Sequence, residues 1–186
     1  MRMKTRLTFG VILAILLSSL LPGAALMAKP ATKPFNATGS VTYITPGTVY
    51  QAGATGKWVV LERTIGGNVA GSLNGPFTMT YNALIDSVYT QAGTLHGKMK
   101  AGENVLKVDA NILPLTLVPY GPYTLPMLTV TGTWQNLEGG QGSGTFNAWL
   151  VFIPTPDGHV GSILASSFDM TGNWRPEHGD GHGDRD

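Results

Sequence analysis

The side chains able to do chemistry in this chain are few, and none of them falls in a spacing that defines a catalytic motif. There is no cysteine, which removes thiol nucleophiles and thiolate metal ligands. Nor is there a Gly-x-Ser-x-Gly elbow, a phosphate-cradling glycine loop or a His-Glu-x-x-His zinc helix, so several common enzyme classes lack their signature. The acids and bases that remain include Glu62, Asp86, Glu103, Asp109 and Asp169, with His96 and His159. Taken singly, each reads as a solvated charge on a strand face. Glu62 and Arg63 stand out because they are adjacent. Two-residue alternation puts Glu62 on the face of Trp58 and Val60, and Arg63 on that of Val59 and Leu61. One of the two charges is therefore aimed at an apolar side, where it needs a partner. That makes the pair either a structural ion pair or the polar end of an interior pocket, and these two residues are the catalytic candidates.

Three binding features accompany them. Thr55-Gly56-Lys57-Trp58, Thr131-Gly132-Thr133-Trp134 and Thr171-Gly172-Asn173-Trp174 share the pattern Thr-Gly-x-Trp. Their spacing is unequal, which excludes a solenoid or propeller repeat. Each reads first as a glycine bend with a tryptophan closing the core. The functional alternative is an aromatic ligand rim built from Trp58, Trp134 and Trp174. The segment Pro119-Tyr120-Gly121-Pro122-Tyr123, followed by Pro126, presents Tyr120 and Tyr123 on a stiff loop suited to sugars or peptides. In the C-terminal stretch, His178, Asp180, His182 and Asp184 alternate mostly with glycine. Imidazole and carboxylate suit zinc, nickel or copper, so weak divalent-metal binding by a disordered tail is the one cofactor expectation.

The elements that must position these residues are strands. No segment after residue 29 keeps an apolar stripe at helical spacing, glycine is abundant, and threonine recurs. From Phe77 to Asp86 the alternation is clean: Phe77, Met79, Tyr81, Ala83 and Ile85 share one face, and only Leu84 departs. The same test predicts strands at 39–45, 58–65, 94–100, 105–118, 128–137, 145–153 and 160–174, with turns at Asn74-Gly75-Pro76, at the glycine-rich 138–144 and at Pro156-Asp157-Gly158. About eight strands with short connections predict a single all-β domain. A closed antiparallel barrel is favoured, with a two-sheet sandwich as the alternative. The general look resembles small secreted eight-stranded barrels such as the lipocalin-like and dirigent-like groups, in architecture and without a shared motif. Strand 145–153 is apolar on both faces, with Trp149, Val151 and Ile153 opposite Phe146, Ala148, Leu150 and Phe152. This predicts a subunit contact or an intrachain cover.

Location follows from the first residues. Arg2, Lys4 and Arg6 precede an apolar run over 7–21, then Pro22-Gly23 and the small residues Ala24, Ala25 and Ala28. This is the pattern of a secretory signal peptide spanning 1–28, followed by an extended lead-in at 29–38, the β domain at 39–175 and the tail at 176–186. Removing the signal turns the formal charge of +1 into about −2, which argues against a nucleic-acid partner. No other stretch reaches membrane-spanning length. The expectation is a secreted or cell-envelope protein acting as a non-catalytic module toward a small molecule, a glycan or a surface protein, with a homo-oligomer as one form. A barrel enzyme with an interior acid or base (a cyclase, isomerase or hydrolase) and a structural envelope subunit are the alternatives.

Overall fold

The structure, a computed structural model, describes residues 32–87, 89–138 and 140–176. The signal segment and the metal candidates His178, Asp180, His182 and Asp184 lie outside the described residues. Ten strands form one antiparallel sheet: β1 (Lys33–Ile44), β2 (Thr48–Gln51), β3 (Trp58–Gly71), β4 (Gly75–Ile85), β5 (Gly93–Ala101), β6 (Asn104–Ile112), β7 (Thr116–Tyr120), β8 (Tyr123–Glu138), β9 (Gly140–Pro154) and β10 (Val160–Pro176). Their order is β1-β10-β9-β8-β6-β5-β4-β3, and β1 pairs back onto β3, closing an eight-stranded barrel. Closure leaves those eight strands without the free edges of an open sheet. Strands β2 and β7 stand outside the ring, on β3 and β8 respectively.

Alternation fills the interior. Phe77, Met79, Ala83 and Ile85 of β4 are buried, whereas Leu84 is exposed. The same period buries Leu95 and Met99 of β5, Leu106, Val108 and Ala110 of β6, and Phe146 and Phe152 of β9. Aromatic rings occupy the centre: Phe77 and Phe168 meet edge to face at 5.1 Å, and Phe35 lies 4.3 Å from Trp134. What remains open inside is about 50 Å³, lined almost wholly by apolar side chains. The barrel is a packed core and not a cup.

Four sequence expectations need correction. The lead-in does not stay unpacked to residue 38, because β1 begins at Lys33 and buries Phe35 and Ala37. Pro34 is accommodated there because residues 33–36 pair with β10 on one side only. The strand expected over 105–118 breaks at Leu113-Pro114-Leu115, where proline interrupts the ladder and sends β7 out of the ring. The glycine-rich loop is in fact strand, with β8 running to Glu138 and β9 starting at Gly140. Its glycines form a trough: a Cβ on Gly144 would strike the Thr171 carbonyl and the Trp134 ring. Finally, β2 was not anticipated from the sequence.

Candidate functional site

The two ends of the barrel differ in construction. At one end the connections are tight, over Ser72–Asn74 and Gly102-Glu103. At the other gather β2, the short 3-10 turn Gly53–Thr55, the loop between β4 and β5, the β7–β8 hairpin and the turn between β9 and β10. The barrel wall is also split at this second end. Backbone pairing of β1 with β10 stops at Gly39 opposite Phe168, while β1 continues along β3 to Ile44. Above the stop, Ser166 bridges the seam. Its hydroxyl accepts from the Val41 N–H at 2.7 Å and donates to the Val41 carbonyl at 2.9 Å. Beyond Ile44 the strands part, leaving a cleft of about 340 Å³ between the start of β2, the start of β3 and the β9–β10 turn.

Arg63 lines this cleft and is only 5% exposed. The route by which it comes to be there overturns the simple alternation reading. A β-bulge between Val60 and Arg63 sets two residues of β3, Leu61 and Glu62, against Asn82 of β4. Glu62 takes φ 52°, and its N–H is held by the Asn82 side-chain oxygen at 2.8 Å. The extra residue inverts the phase of the strand, so Glu62 faces solvent while Arg63 joins Val60 on the inner side. The Arg63 Nε donates to the Pro46 carbonyl at 2.9 Å. Gly47 permits that approach, since its φ is 64° and a Cβ there would meet the Leu61 carbonyl and the backbone of Arg63. Across the register sits Tyr81. Burial pushes its phenol up in pKa, against the opposing pull of the Arg63 charge and hydrogen bond, and so it stays neutral.

Facing Arg63 are Trp58, Val49 and the turn residues Thr155, Asp157 and His159. The His159 ring meets Trp58 edge-on at 5.8 Å, and its Nε2 lies 3.8 Å from an Asp157 oxygen. Thr155 donates to the other Asp157 oxygen at 2.5 Å. That bond, foremost, together with the nearby His159 and Arg63, holds the Asp157 carboxyl below its ordinary pKa. The turn is itself clamped, because the buried Gln91 side chain donates to the Gly158 carbonyl at 3.0 Å. Gln91 has φ 50°. Among the described residues, the non-glycine residues with positive φ are Glu62 and Gln91, and both hold a wall of this cleft. Backbone strain of this kind costs about 1–3 kcal/mol per residue and concentrates at binding and catalytic sites.

No family model matches the chain, and no curated protein or solved structure matches it.

The remaining candidates fall in different places. Trp58 sits at the cleft, but Trp134 and Trp174 lie toward the opposite end, near Phe35 and Lys33. Trp134 is fully buried, with its indole N–H donated to the Thr171 carbonyl at 3.1 Å. The three Thr-Gly-x-Trp segments therefore form no common rim. Tyr120 and Tyr123 pair across the tip of the β7–β8 hairpin and are both exposed. On β9, Trp149 and Ile153 are exposed while Val151 is buried.

The barrel exterior adds one polar cluster. His96 and Asp109 are direct cross-strand neighbours on β5 and β6. The Asp109 carboxylate accepts from Lys107 and from the His96 ring, each at 2.7 Å, and these bonds lower its pKa. Beside it lies an open hollow of about 400 Å³ lined by Glu62, Asn82, His96, Lys98 and Lys107, polar side chains of the barrel exterior.

Sequence reasoning missed Gln91, Thr155, Asp157 and Pro46 as site residues. Asp157 did carry a signal, as part of a Pro-Asp-Gly turn, but a turn motif does not say what the turn faces.

Proposed function

We propose that this chain is an exported, non-catalytic binding module whose small-molecule ligand occupies the cleft at the split end of the barrel. The observation that carries this reading is the meeting, in one concavity, of an apolar wall from Trp58 and Val49 with converging polar groups from Arg63, Thr155 and His159. An apolar pocket with a few placed polar groups is the usual form of a small-molecule site, and about 340 Å³ is within its usual size. The packed interior supports the cleft over the barrel lumen. Export rests on the basic start, apolar run and small residues of segment 1–28.

The test is a thermal-shift screen of small organic compounds on the purified chain and on Trp58→Ala. A ligand at a hundred times its Kd stabilises by about 2.7 kcal/mol, a shift of several degrees. The reading predicts hits whose shift disappears in Trp58→Ala. Shifts that survive the substitution would move the site elsewhere.

A second reading has its own observation. His159, with an Asp157 oxygen 3.8 Å from its Nε2, stands beside Arg63 in the cleft, an imidazole, a carboxylate and a cation of the kinds a proton-transfer site uses. If it holds, a bound compound is turned over, and His159→Gln lowers turnover far more than it weakens binding.

A further inference from the structure

We infer that the ligand of the cleft is a small organic monocarboxylate, its two oxygens forked by the buried guanidinium of Arg63. This rests on the cleft being the binding site, as proposed above.

A guanidinium does not give up its proton in a protein, so Arg63 carries a fixed positive charge into a position that is 5% exposed. A buried charge of this kind is costly unless it is paired. Among the described residues, Arg63 forms a salt bridge with no carboxylate. Its Nε is satisfied by the Pro46 carbonyl, and Tyr81 beside it is neutral. Neither supplies a negative charge. The acid nearest in the cleft, Asp157, is turned to Thr155 and His159, on a side chain 71% exposed. Arg63 lines the cleft, and the planar fork of a guanidinium matches two coplanar carboxylate oxygens.

The bulge turns Val60 and Arg63, three residues apart, to the same inner side. Glu62 at φ 52° and the Asn82 side chain hold the alternative phase. The bulge seats Val60 in the core and Arg63 at the cleft together, and positive-φ strain of this kind concentrates at functional sites. The body of the ligand follows from the apolar part of the lining: Trp58, on the same strand as Arg63, and Val49, on the paired β2, offer apolar contact. Charge balance selects the class. With a single guanidinium and an ionised Asp157 across the cleft, a monoanion is accommodated, whereas a phosphate dianion would meet repulsion that one cation does not offset.

The experiment is calorimetric titration of the full chain with benzoate and hexanoate, each beside its neutral amide, and with inorganic phosphate. The expected result is binding of at least one acid, with its amide weaker by about thirtyfold or more, the loss that goes with leaving a buried charge unpaired. Arg63→Met should abolish that preference for acid over amide while melting at or above the parent temperature, because an uncompensated buried cation has gone. Should Arg63→Met not fold, Arg63→Lys keeps the charge without the fork and should still weaken the acid about tenfold. Asp157→Asn should tighten it severalfold. Acid and amide binding equally, both lost in Trp58→Ala, would overturn the carboxylate and leave the cleft standing. Binding of phosphate without the carboxylates would also overturn it. No binding of either acid would overturn the carboxylate and leave the cleft to the wider screen, whereas binding indifferent to Trp58→Ala would remove the cleft and this inference together.

Discussion

The two ends of the barrel are made from the same kind of strand and serve opposite ends. At the tight end, Trp134 lies on the glycine trough of β9 with its indole N–H engaged and no surface exposed. At the split end, strand pairing gives way to a serine bridge, an arginine is held under a bulge, and two positive-φ residues fix the walls of a cleft. On the proposed reading, stability and recognition are separated along the barrel axis. Substitutions at the first end should read out as melting temperature, and those at the second as binding.

Trp134→Ala is the strongest way to break that contrast. Removing a fully buried indole should cost about 3–5 kcal/mol, measured by urea denaturation. A loss under about 1 kcal/mol would mean that the tight end is not the stabilising one. Ser166→Ala should cost less, about 1–3 kcal/mol, because the Val41 N–H and carbonyl lose their bridge across a partly buried seam. Amide exchange at Val41 should rise with it, and unchanged protection there would show that the seam does not depend on the hydroxyl. The smallest effect belongs to the exterior cluster. Asp109 has a lowered pKa in the fold, so its contribution is present above the unfolded value of about 3.9 and fades as pH falls through the folded one. Asp109→Asn should flatten the acid limb of stability slightly in that window, and an unaltered limb would assign the cluster no part in it.

Much of the fold was legible in the sequence, because a two-residue period survives wherever a strand is regular. Phe77, Met79, Ala83 and Ile85 are buried, and Leu84, the one residue out of step, is exposed. Short connections made the meander, and so the closed ring, readable. The site was harder to see. Glu62 and Arg63 were conspicuous as neighbours, but which one turns inward depends on a bulge stabilised from β4 by Asn82, a contact made twenty residues along the chain. The tryptophan pattern misled for a related reason. The shared Thr-Gly-x-Trp pattern places Trp58 and Trp134 by register at different heights of the barrel, one beside a cleft and one in the core. Asp157 and His159 sat in an obvious turn, yet their counterparts Arg63 and Gln91 come from strands and loops far away in sequence.

The way β1 closes the ring has a kinetic consequence. Its residues pair with those of β10, Lys33 with Trp174 at one extreme, so the first strand waits for the last. Contacts this remote in sequence form slowly, since loop closure must precede any reward from pairing. During synthesis the intervening strands can form hairpins with their neighbours, but the barrel itself has no complete intermediate until the final strand has emerged. A chain of this design keeps its ring open for as long as its C-terminal strand is held back.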